Sequence, residues 1–259
     1  MTQRAPAMFI SHGSPMFAVE PGQAGALLTG FGEQLSDVAA VLVISPHWMT
    51  HGLELMSAAQ PETLHDFGGF PRELYQLQFD APGSPEIAEQ VKAVLESQRI
   101  GVALNPDRGR DHGAWVPMLH LLPDTDVPVF QLSLDMTMDA EALIKLGKAL
   151  LPLREQGIAV IASGGLTHNL YEICAPGSPP AEYVQRFQGW VREQVSNRNL
   201  AALALPQRYS DDFQRAHPTA EHYLPLLIAM GASDANDQLS VLEGGILHGV
   251  LSMESYGWT

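Results

Sequence analysis

Four short runs of this chain are apolar on both faces: AMFIS at 7–11, VAAVLVIS at 38–45, VPVFQLSL at 127–134 and IAVIAS at 158–163. A strand with one wet face alternates polar and apolar residues; these do not. They call for strands covered above and below by helices, the setting of a parallel or mixed sheet. The intervening segments supply the covers. Ser84-Pro85 is an N-cap and first-turn pair, followed at helical spacing by Ile87, Val91, Val94 and Leu95. Asp139 is placed to cap a helix bearing Leu143, Leu146 and Leu150, and residues 181–197 carry Tyr183, Phe187, Trp190 and Val191 on one stripe, read as core. A further helix is expected over 218–230, opening near Thr219, and weaker strands at 53–58, 100–104 and 246–253. The Pro/Gly-rich stretches at 61–71, 81–85 and 176–180 read as loops. The expected architecture is α/β: a single domain over 1–259 with a central, mostly parallel or mixed sheet flanked by helices on both sides. No GxGxxG or P-loop pattern follows a strand, which argues against a nucleotide-binding fold of the usual kind.

Charge and cysteine content narrow the partners. Acidic residues outnumber basic ones 29 to 14, the formal net charge is −15, and no Lys/Arg cluster is present. Nucleic acid and anionic membrane surfaces are therefore poor partners. The one cysteine, Cys174, excludes an intrachain disulfide and a Cys₄ zinc site and fits a reducing compartment. No apolar run has the length of a signal peptide core or a membrane span, so the expected location is the cytoplasm.

The apolar runs share a second feature. The first ends in Ser11-His12-Gly13, the second in Ser45-Pro46-His47, and the fourth in Gly164-Gly165-Leu166-Thr167-His168. Sites in open α/β sheets form beyond the carboxyl ends of the strands, and neutral imidazole is the commonest metal ligand, so these three histidines are candidates for one site. His222, in HPTAEHYLPLL, is a fourth candidate, expected in the first turns of a helix, with His217 in the preceding loop. His112, in RGRDHGAWVPM, is a fifth: Asp111-His112 could orient an acid/base imidazole, and an exposed loop histidine is the competing reading. His65 could line a pocket, whereas His120 and His248 read as structural. HWMTH at 47–51 lacks the Glu of an HExxH zinc helix, and no GxSxG elbow supports a serine hydrolase.

In chain order, SHGSP, SPHW, HDFGGFP with LYQLQFDAPGSP, DHGAW, THNL and PTAEHYLPLL resemble the DOPA 4,5-dioxygenase extradiol family. That family belongs to the class III extradiol ring-cleaving dioxygenases. The resemblance implies a metal held by His12, His47 and His222, with His168 as acid/base and a possible fourth ligand. It implies that His112 hydrogen-bonds bound oxygen or catechol. It further implies one divalent ion per chain, Zn²⁺ or Fe²⁺, and a catechol such as DOPA opened with O₂, Fe²⁺ being required for that chemistry. Two alternatives stay open at this point: a zinc-dependent hydrolase using the same imidazoles, and a non-catalytic metal- or ligand-binding protein. Arg72, Arg108 and Arg110 are weighed as carboxylate clamps for the substrate, with surface solvation the competing role. Oligomeric state is left open.

Overall fold

The computed structural model describes residues 4–259. Its ten strands are β1 (Ala7–Ser11), β2 (Ala40–Thr50), β3 (Leu53–Met56), β4 (Val102–Asn105), β5 (Val129–Asp135), β6 (Ile158–Gly164), β7 (Leu239–Leu242), β8 (Ile246–Leu247), β9 (Leu251–Ser252) and β10 (Ser255–Trp258). Eight of them form a mixed sheet in the order β4-β3-β5-β2-β6-β1-β10-β7, and β8 with β9 makes a separate two-stranded ribbon. All four apolar runs become its central strands. β5, β2, β6 and β1 are mutually parallel, so their carboxyl ends share one edge.

Burial on both faces follows from the period of two. In β1, Phe9 faces one apolar layer while Met8 and Ile10 face the other; in β2, Leu42 and Ile44 oppose Val41 and Val43; in β6, Val160 and Ala162 oppose Ala159 and Ile161. One layer is closed by α1 (Gly22–Gly32) and, later in the chain, α3 (His112–Leu121). The other is closed by α2 (Pro85–Ser97), α4 (Ala140–Glu155), α5 (Glu182–Ser196) and α9 (Leu224–Gly231), with the short helices α6 (Leu200–Ala204), α7 (Pro206–Tyr209) and α8 (Phe213–Ala216) at its margin. The caps read from sequence are made: Ser84 Oγ accepts from the Ile87 N–H at 3.2 Å and Asp139 Oδ1 from the Ala142 N–H at 2.9 Å.

Three expectations need correction. The expected strand at 246–253 is the small β8–β9 ribbon, and the strands that complete the sheet, β7 and β10, lie on either side of it. The expected helix near Thr219 begins at Leu224, after a run of turns. Strand β2 does not stop at Ser45. It continues through Pro46 and His47 to Thr50, pairing Met49 with Leu134 and Thr50 with Asp135 across an irregularity in register after Ile44. Proline has no N–H for a ladder, and a bulge is where a strand tolerates it.

Candidate metal centre and active site

The edge formed by β2, β6 and β1 gathers the histidines. His12 follows β1 directly, its N–H bonded to Gly164 O at 2.9 Å. Its Nδ1 lies 2.8 Å from Ser163 Oγ, and that hydroxyl donates to Gly113 O. With the hydroxyl hydrogen committed, Ser163 accepts from His12, so His12 carries its proton on Nδ1 and presents a lone pair on Nε2. The chain then leaves through Gly13 at φ 66°, a left-handed conformation that glycine adopts without strain.

His47 stands inside β2, within the irregular stretch between Ile44 and Met49, and its Nε2 is 3.2 Å from His12 Nε2. His222 lies in the turn before α9 rather than in the helix. The Gly165 N–H donates to the His222 carbonyl at 2.9 Å, and a Cβ on Gly164 would fall 2.3 Å from that oxygen, so glycine is required for this close approach. His222 Nδ1 is 3.2 Å from Glu221 Oε1, an acceptor, which again leaves Nε2 as the free lone pair. That Nε2 is buried and has no hydrogen-bond partner.

The imidazole centroids of His12, His47 and His222 form a near-equilateral triangle with sides of 5.1, 5.1 and 5.3 Å. One ligand nitrogen from each lies within 4.8 Å of the others. A buried nitrogen without a partner, as His222 Nε2 is, is costly unless something binds it, and three neutral imidazoles with an open side suit a divalent transition metal. Burial, then the neighbouring imidazoles, holds His12 well below its ordinary range and pushes His47 down to about 2, so both are unprotonated and available as ligands. Glu221 is pushed down to about 2, chiefly by the hydrogen bond from His222. Its carboxylate therefore orients His222 from behind.

His168 and His112 flank the triangle. The His168 ring stacks on His222 at 3.5 Å and 8°, and burial followed by the His222 ring lowers it to about 3. His112 is the first residue of α3, only 7% exposed, with its ring 3.9 Å from that of His47. The exposed-loop reading is thus overturned, and so is the pairing with Asp111. Asp111 instead caps α3 by accepting from the Ala114 N–H at 3.2 Å, and it accepts from Gln131 Nε2 at 2.8 Å. The partner of His112 is Asp66, whose Oδ1 accepts from its Nδ1–H at 3.0 Å and from its backbone N–H at 2.9 Å. Burial alone would raise the Asp66 carboxyl, but these bonds from His112 leave it below its usual range.

A cavity of about 450 Å³ opens over the cluster, and His47, His112, His168 and His222 line it. His65 does not; its Nε2 bonds Leu77 O at 3.0 Å. His120 is structural, bonded to Phe17 O at 2.8 Å. His248, read as structural, in fact lines the cavity, at φ 52° and with Nδ1 3.2 Å from Cys174 O. His217 is buried behind the site, its Nε2–H donating to Leu166 O at 2.9 Å. Arg110 is no clamp: it is fully buried and donates to the carbonyls of Pro61, Phe79, Ala81, Pro82 and Val129. Arg108 turns toward His47 O and Asp111, and neither it nor Arg72 lines the cavity. Ser163, Glu221 and Asp66 were missed as orienting groups. Asp66 and Glu221 stand inside the quoted motifs HDFGGFP and AEHYLP, but no local spacing shows which imidazole each one holds.

A family model described as the catalytic LigB subunit of aromatic ring-opening dioxygenase matches residues 6–246. A protein from Beta vulgaris named 4,5-DOPA dioxygenase extradiol is 35% identical over 257 residues, covering 97% of this chain and 95% of its own. A protein of the same name from Escherichia coli strain K12 is 36% identical over 256 residues, covering 97% of this chain and 94% of its own. The crystal structure of an uncharacterized protein of Escherichia coli K12 superposes with a TM-score of 0.80 at 30% identity, covering 98% of this chain and 99% of that one. The chain belongs to the LigB family of aromatic ring-opening dioxygenases, and it is an extradiol enzyme that acts on a small aromatic molecule and O₂.

Proposed function

We propose that the chain is one catalytic domain that opens a catechol ring beside its diol, with a metal held by His12, His47 and His222, and with His168 and His112 as catalytic residues. The observation that carries this reading is the orphaned Nε2 of His222, which closes a triangle of imidazoles at the floor of the cavity. The names of the relatives make DOPA one candidate catechol. All-imidazole donor sets accept zinc as well as iron; bound Fe(II) would supply the one-electron chemistry with O₂ that zinc lacks.

The protein's own groups divide the remaining work. His168 is kept neutral by burial, so it starts as a base; it takes a phenolic proton from the catechol and returns one as the ring opens. The stacked His222 ring fixes its plane. His112 has its Nδ1–H turned to Asp66, which leaves the Nε2 lone pair to accept a hydrogen bond from a substrate hydroxyl. A substrate seated against the apolar wall of the cavity would displace water from that wall. Both atoms of O₂ enter the product and the catechol supplies the electrons, so no separate reductant is needed.

The test is oxygen uptake with several catechols, DOPA among them, by protein loaded anaerobically with Fe(II), beside a zinc-loaded control and Fe(II)-loaded His168→Ala. The expected result is one O₂ consumed per catechol and a yellow product in the iron sample alone. The variant should keep its iron and lose roughly a hundredfold or more in kcat. No uptake with any catechol overturns the reaction. Wild-type turnover in His168→Ala overturns its role.

A further inference from the structure

The wall of the cavity carries information about the substituent on the ring. Among the described residues, none of those lining it is Lys, Arg, Asp or Glu. Beyond the histidine cluster, the surface is built from Met16, Phe67, Phe70, Leu170, Ile173 and Leu251, with Ser14 and His248 as its polar side chains. The aromatic part begins beside the reacting centre: Phe67 meets the His112 ring edge-on at 5.7 Å and Phe70 at 5.5 Å. The path leads outward to Leu170 and Ile173, which are 54% and 48% exposed although they line the cavity. Exposed apolar side chains facing a pocket are surface that a bound apolar group would cover.

Arg72 is exposed and does not line the cavity, and the other arginines near the cavity are committed elsewhere. Arg110 is spent on five backbone carbonyls, Arg108 is turned to Asp111, and Arg215 forks onto Glu172 with bonds of 2.8 and 2.9 Å. The carboxylates closest to the cluster, Asp66 and Glu221, are held by His112 and His222. The carboxylate of an amino-acid substituent would meet no cationic partner along this wall, and its ammonium no free carboxylate. Groups moved from water without partners lose binding.

Resting on the ring-opening reading above, we propose that this cavity selects catechols bearing an uncharged apolar substituent, alkyl or aryl, over catechols bearing an amino-acid side chain. Phe67, Phe70, Leu170 and Ile173 are the residues that set this preference.

The experiment compares 4-propylcatechol with L-DOPA in two ways. Calorimetric binding to zinc-loaded protein, which does not turn over, reads the preference itself; kcat/KM on Fe(II)-loaded protein reads it in the reaction. The expected result is tighter binding and a kcat/KM higher by about tenfold or more for 4-propylcatechol. Leu170→Arg, a change at an exposed side chain, should narrow or reverse that ratio by giving L-DOPA a cation. Equal or tighter binding of L-DOPA, or no binding of either compound, overturns the inference. Tighter binding of 4-propylcatechol without ring opening of either compound supports the preference and defeats the reaction instead.

Discussion

Ser163 Oγ and His12 Nδ1 are 2.8 Å apart, and because the hydroxyl donates to Gly113 O, this one contact fixes the tautomer of His12. Ser163→Ala leaves the imidazole free to rotate and to protonate at either nitrogen. Metal affinity should weaken by roughly 10- to 100-fold, the usual cost of losing a group that orients a ligand. Competition with a chromophoric chelator measures it. An unchanged dissociation constant would remove Ser163 from the support of the site.

Gly164 lets the His222 carbonyl approach β6. Gly164→Ala puts a Cβ 2.3 Å from that oxygen and must push His222 outward. The variant should fold with a substoichiometric metal content by elemental analysis. Full loading would mean that the turn carrying His222 adapts without moving its ring.

Arg110 ties the loop that carries Asp66 and Phe67 to β5. Burial lowers its guanidinium to about 10, so it stays charged at neutral pH, and its donors satisfy carbonyls on both sides of the loop. Arg110→Met should cost roughly 3 kcal/mol or more, because those buried carbonyls lose their charged donor. Urea unfolding gives the number. Arg110→Lys should recover only part of it, since an ammonium cannot reach the same spread of acceptors. A loss below about 1 kcal/mol in Arg110→Met would show that water replaces the donor.

His217 ties folding to pH. Its Nδ1 is buried without a partner, and burial is the main reason its pKa falls from 6.5 to about 4. Between those values the unfolded chain binds the proton and the folded chain does not. Stability therefore rises with pH across this window, and falls as the pH drops from 6.5 toward 4, by up to about 3 kcal/mol from this residue. In His217→Gln the slope of unfolding free energy against pH should be shallower by up to about 1.4 kcal/mol per unit. Denaturant titrations of both proteins between pH 7 and 5 check it; parallel slopes would assign the dependence to other groups.

The central sheet was legible because burial on both faces leaves a local mark, the unbroken apolar run. β7 and β10 left none: each is a four-residue strand at the margin, and β10 contains Gly257. The histidines after β1 and β6 could be read because each sits close behind such a run. The sequence places His47 after its strand, not in it, because Pro46, usually a strand breaker, here falls at the register shift. The sequence places His222 in a helix that begins only at Leu224, because a helical pattern of apolar residues does not mark where the first hydrogen-bonded turn closes.

Local patterning of the chain is enough to show which segments are buried, where helices are capped, and that several imidazoles follow strands. That β2, β6 and β1 are neighbours, so that His12, His47 and His222 face one point, comes from the packing of the folded chain. The same packing lets Ser163 hold His12 across 151 positions and Asp66 hold His112 across 46. The difference lies in the range of the forces. Periodicity and capping are interactions within a few residues of chain, whereas the order of strands and the partners of a buried imidazole are set by packing between segments far apart in sequence.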